Sequence, residues 1–124
     1  MHSKEPMMAG NLSLLRELVE NIRETGMVAA RKRREVMALQ NRRKALHVEI
    51  RNRLMEQAEA RGARLSVTAA MDDARAHPEY VACLDEIALK QFEADAAEVA
   101  YVTARALFEA AVAHPDEAGR LAAA

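Results

Sequence analysis

Apolar residues recur at helical spacing along almost the whole of this chain. Leu12, Leu15, Leu18, Val19 and Ile22 fall three and four residues apart, and Val36, Leu39, Leu46, Ile50 and Leu54 carry the same period towards Gly62. Asn11 or Ser13 can cap the start, and Gly62 is a C-terminal stop. Gly26 lies between the two series, where a glycine inside a helix costs about 1 kcal/mol relative to alanine. No proline or cluster of turn formers accompanies it, so continuity is the favoured reading and one helix is predicted over residues 12–61. Ser66 then caps a short helix over residues 67–76. His77 at the cap, Pro78 at the first helical position and Glu79 in the first turn open a third helix over residues 78–113. Its apolar stripe reads as Val81, Leu84, Ala88, Phe92, Val99, Val102 and Ala106. All three prolines, Pro6, Pro78 and Pro115, stand where helices should begin or end.

The expected fold is therefore all-α: an elongated helical hairpin of two long helices joined by a short helical elbow. It forms a single helical domain over residues 12–113, between a flexible N-terminus (1–11) and a polar, Ala-rich tail (114–124). With 51% apolar and 30% charged residues the 124-residue chain has the composition of one folded domain, but much of its apolar content is alanine. Tryptophan is absent, and the aromatics are Tyr80, Phe92, Tyr101 and Phe108. Small side chains bury little area, and stabilisation scales at roughly 25 cal/mol per Å² of apolar surface. A hairpin cannot cover both of its own faces, so self-association into a homo-oligomer is expected. The start, MHSKEPMMAG, holds no signal-peptide core, and no segment approaches the roughly 20 apolar residues that span a bilayer. A soluble, cytoplasmic protein without a membrane partner is the expectation. Cys83 is single, which excludes an intrachain disulfide and suits a small buried hydrophobe.

Charge divides the chain. Residues 1–64 hold 14 Lys/Arg against 8 Asp/Glu, and residues 65–124 hold 4 against 11, so a net charge of -1 conceals a +6 half and a -7 half. The positive excess centres on Arg31, Lys32, Arg33 and Arg34, followed by Arg42, Arg43, Lys44, Arg51 and Arg53. Two readings follow. These cations can lie against the acids of the third helix, Asp85, Glu86, Glu93, Asp95, Glu98 and Glu109, or they can track the phosphates of a nucleic acid and release its counterions. Residues 31–64 carry 11 basic and 4 acidic residues, more positive charge than local pairing needs. Arg43 falls on the apolar stripe itself, where its stem can snorkel or its guanidinium can line the inside of an oligomer. The basic half has no aromatic residue, so a bound single strand would be held by its backbone with little sequence preference.

Catalytic chemistry has little footing. His2, His47, His77 and His114 are dispersed, HExxH and CxxC spacings are absent, and Asp72 and Asp73 lack a matching ligand set. With four glycines, no P-loop and no GxGxxG, a phosphate-cradling loop is not expected either. No catalytic residue, metal or cofactor is expected.

The order of elements, a basic helix, a Gly elbow, a short helix and then HPEY opening a long acidic helix, resembles the UvsY-type bacteriophage recombination mediators and their shorter phage relatives. The likeness spans residues 46–110, with RLSVTAAMDDARAHPEYVACLDEIALKQFEADAAEVAY at its centre. Leu65 and Ser66 stand at the LT-type cap, and His77, Pro78, Glu79 and Tyr80 at the DPEY-like restart. His77 replaces the usual acidic cap, and the helix end over residues 104–113 carries only Arg105 where the resemblance leads us to expect a basic terminus. The resemblance implies an oligomeric helical protein that binds single-stranded DNA and helps load a recombinase onto strands coated by single-strand-binding protein. The expected function is accordingly non-enzymatic: single-stranded DNA binding through the basic helix, in recombination or replication. The alternative is a structural or adaptor coiled coil, such as a phage morphogenesis or host-interaction factor, that binds another protein.

Overall fold

The computed structural model describes residues 4–117, with side chains from residue 10 onward. His2 and residues 118–124 of the expected tail lie outside the described residues. The fold is all-α, with α1 over Lys4–Ala60, α2 over Val67–Ala76 and α3 over Pro78–Ala113. The described residues contain no strand. Helix α1 begins at Lys4, well ahead of the expected start near residue 12, and runs through Gly26 without a break.

Local chemistry explains each boundary. At the end of α1, Gly62 adopts φ +73°, the Ala63 N–H donates to Ala58 O (2.9 Å), and the Gly62 N–H donates to Glu59 O (3.0 Å). This pair of bonds is a Schellman motif, which satisfies carbonyls the helix would otherwise leave open. Ser66 Oγ accepts from the Ala69 N–H (3.1 Å) and caps α2. His77 serves two helices at once. Its N–H donates to Ala74 O (3.2 Å) at the end of α2, and its Nδ1 accepts from the Glu79 N–H (3.2 Å) at the start of α3. The single-residue link between α2 and α3 is possible because Pro78 has no N–H to satisfy.

The chain divides into two compact units, Lys32–Glu93 on the one hand and Met1–Arg31 with Ala94–Ala124 on the other. The unit over Lys32–Glu93 uses all three helices. Its core joins Leu46 and Ile50 of α1, Ala74 of α2, and Tyr80, Cys83 and Ile87 of α3, with Leu39 and Leu54 packed against it. Ile50 is fully enclosed. Cys83 is a free, buried thiol.

In the other unit α1 packs on α3 through small residues. Ala29, Ala94, Ala104 and Ala111 are buried there, with half-buried Leu15, Leu18, Ile22, Tyr101 and Phe108. Gly26 is part of this close approach: a Cβ built on it would stand 3.1 Å from Tyr101 Cε1 and 3.4 Å from Cδ1. The mid-helix glycine thus makes room for an aromatic ring.

The stripe expected on α3 is corrected by the structure. Val81, Leu84, Ala88, Phe92, Val99, Val102 and Ala106 are all exposed. Besides the half-buried Glu93 and Glu98, the enclosed or half-enclosed positions are instead Tyr80, Cys83, Ile87, Lys90, Ala94, Ala97, Tyr101, Ala104, Phe108 and Ala111. These alternate three and four residues apart, the heptad spacing of a coiled-coil seam. Half of the seam is alanine or lysine, whereas the exposed face carries several bulky aliphatic and aromatic side chains, so bulk alone marks the wrong face.

Candidate nucleic-acid interface

The seam of α1 fixes where its basic residues point. With Leu39, Leu46 and Ile50 turned inward, steps of about 100° per residue place Arg34, Ala38, Asn41 and Ala45 on the opposite, outward side. All four are exposed. Arg42 borders this face on one edge and Lys44 on the other, and both are exposed. Along the axis Arg34 precedes Arg42 by eight residues, or about 12 Å at 1.5 Å rise per residue.

The nine candidate cations do not act as one set. Arg34, Arg42 and Lys44 make no ion pair among the described residues. Arg33 is exposed and has a partner. Arg31 is also exposed, but it is the last α1 residue of the other compact unit. The remaining four are committed within the Lys32–Glu93 unit. Arg53 Nη1 contacts Glu79 Oε1 at 2.8 Å. The hydrogen bond from Arg53, and then its charge, hold the Glu79 carboxyl below the usual carboxylate range, and the same bond raises Arg53. Arg51 donates to its neighbour Asn52 Oδ1 through Nε (3.2 Å) and Nη2 (3.1 Å).

Lys32 and Arg43 occupy seam positions and are half-buried. Lys32 Nζ stands 3.7 Å from Glu35 Oε2 and 3.5 Å from Glu93 Oε2, while Lys90 Nζ stands 3.2 Å from Glu93 Oε2 and 4.0 Å from Glu35 Oε2. Two lysines and two glutamates so form a neutral quartet linking α1 to α3. Both Oε2 atoms are enclosed without an aligned hydrogen-bond donor, so the geometry is that of ion pairs. Approach of Lys90 to hydrogen-bonding distance holds Glu93 below the usual range against the opposing effect of burial, and the Lys32 charge reinforces it. Glu93 in turn raises Lys90.

Arg43 has partners of its own within the unit. Its Nη1 donates to Tyr80 Oη (3.1 Å) and its Nε to Gln40 Oε1 (3.0 Å), so the guanidinium ends in a built polar site beside the core. His47 lies one turn on, its ring centroid 5.4 Å from that of Tyr80, and its Nε2 lies 3.1 Å from Met71 O of α2. A carbonyl can only accept, so Nε2 carries the proton in this contact.

Pairing with α3 therefore explains part of the basic cluster, and an outward remainder of Arg34, Arg42 and Lys44 is left. Within residues 32–48 the only acid is Glu35, and it is turned into the quartet. Asn41 belongs to the outward face and is absent from the charge-based candidates. Its spacing of seven residues from Arg34 is the signal that places it there.

Among the described residues no three His, Cys, Asp or Glu side chains converge as a metal site. Asp72 and Asp73 are exposed, and Asp72 pairs with Arg75 at 3.1 Å. No described helix is long and apolar enough to cross a membrane. Comparison with protein-family models, curated proteins and solved structures finds no match to this chain.

Proposed function

We propose that this chain is a non-enzymatic nucleic-acid-binding accessory protein that holds single-stranded DNA by its sugar-phosphate backbone on the outward face of α1, in recombination or replication. The supporting observation is the remainder of positive charge on that face. Arg34, Arg42 and Lys44 stand exposed without an ion pair among the described residues, and Glu35, the acid beside Arg34, is engaged by Lys32 and Lys90. Ala38, Asn41 and Ala45 between them are short, so a phosphate chain can approach the helix closely. The resemblance to UvsY-type mediators supports the same reading and suggests a recombinase or single-strand-binding protein as a further partner.

Anisotropy of a labelled oligonucleotide tests the proposal. Binding is expected at low salt, to several unrelated sequences with similar affinity, and to weaken steeply as salt rises. Absence of binding at low salt would remove it. The adaptor reading draws on a different observation, the exposed apolar residues of α3, and predicts capture of a protein partner with no affinity for oligonucleotides.

A further inference from the structure

Within the Lys32–Glu93 unit, α3 has a second apolar face that nothing in the unit covers. Val81, Leu84, Leu89 and Phe92 lie away from the seam residues Tyr80, Cys83 and Ile87, and Phe92 is 72% exposed and Leu89 58%. Asp85 sits among them and is exposed. Side chains of this bulk over three helical turns are the mark of an interaction surface.

We infer that this face of α3 docks on the outward face of α1 of a second copy of the chain, in a heterologous contact. Two complementarities select that occupant. In charge, Asp85 on α3 matches Arg34 and Arg42 on α1. In shape, the large Leu89 and Phe92 match the shallow positions Ala38, Asn41 and Ala45, as knobs fit holes in a coiled coil. An α3-on-α3 contact offers neither, since it sets bulk against bulk and acid beside acid. A heterologous contact uses different surfaces on each copy, so it propagates from one copy to the next. Association between copies is a second-order step, so assembly depends on concentration. This inference goes beyond the nucleic-acid reading and does not rest on it; both use Arg34 and Arg42, so a second copy and a single strand exclude each other from any one α1 face.

Sedimentation velocity of the full chain from about 1 µM to about 1 mM is the test. The parent protein is expected to grow with concentration. Leu89→Asp/Phe92→Asp should raise the half-association concentration at least about tenfold with helicity unchanged, and Leu89→Ala/Phe92→Ala, which keeps strong helix formers, should weaken it in the same direction. Arg34→Glu/Arg42→Glu should likewise raise the half-association concentration at least about tenfold. Mixing this charge-reversed variant with Leu89→Asp/Phe92→Asp should restore association but stop at a 1:1 pair, because each contributes one intact face. A parent that stays monomeric throughout would overturn the inference. So would self-association of the charge-reversed variant at parental strength, or a mixture that fails to pair. Oligonucleotide binding by Leu89→Asp/Phe92→Asp, whose α1 face is intact, reports on the nucleic-acid reading separately.

Discussion

Replacing Gly26 by alanine sets two opposed effects against each other, and the structure gives the scale of both. In an unobstructed helix the change stabilises by about 1 kcal/mol, because glycine has more backbone freedom to lose. Here the new methyl would meet Tyr101 Cε1 at 3.1 Å and Cδ1 at 3.4 Å. Carbon atoms prefer about 3.5–4.0 Å, and overpacking typically costs about 1–3 kcal/mol. Tyr101 is half-buried, so its ring can yield part of the way, and the cost should sit toward the lower end. Gly26→Ala alone is therefore expected to be neutral to about 1 kcal/mol destabilising. In a Tyr101→Ala background the obstruction is gone, and the same change should stabilise by about 1 kcal/mol. Urea unfolding of the four proteins gives the coupling energy directly, and it should come to about 1–2 kcal/mol. An equal gain of about 1 kcal/mol in both backgrounds would refute the packing of Tyr101 on Gly26.

Gly62→Ala should destabilise by about 1–2 kcal/mol, since φ +73° is strained for any residue with a Cβ; thermal unfolding followed by circular dichroism measures it, and an unchanged midpoint would count against the Schellman cap. Tyr80→Phe removes the hydroxyl that accepts from Arg43 and should cost about 1–2 kcal/mol in urea unfolding, with the cost absent in an Arg43→Met background. Glu93→Gln should flatten the acid limb of stability. Glu93 is held below its unfolded value, so its contribution is present above about pH 4.3 and is lost as pH falls through the lower folded value; Lys90 is raised, so its share is lost only as pH rises above about 10.4. Stability measured across pH in the parent and the variant checks this, and identical acid limbs would show that the quartet contributes nothing.

Elements whose signals are local were legible in the sequence. Ser66, His77–Pro78 and Gly62 each carry the chemistry of their own boundary, and α2, α3 and the end of α1 fall within a residue of expectation. The packed face of α3 was not legible from bulk, because its seam holds Ala94, Ala104, Ala111 and Lys90 while Leu89, Phe92 and Val99 point outward. The alternation of three and four from Tyr80 to Ala111 was the better signal, and it requires small and charged residues to be admitted as seam positions. Charge segregation pointed to α1, but which cations remain available depends on the register of α1 against α3. Lys32 finds Glu93 and Arg43 finds Tyr80 across distances in sequence that no local pattern encodes. The same holds for Gly26, whose role is apparent only once Tyr101 lies over it.

The salt dependence of single-strand binding by Arg34→Ala/Arg42→Ala tests the central claim most directly. Both side chains are exposed and take no part in the core, and alanine is the better helix former, so the fold should persist. For single strands the slope of log affinity against log salt is about -0.7 per phosphate neutralised, so losing two contacts should flatten it by about 1.4, equally for unrelated sequences. A parent slope left unchanged in the double variant, with helicity intact, would contradict a phosphate-binding role for the outward face of α1.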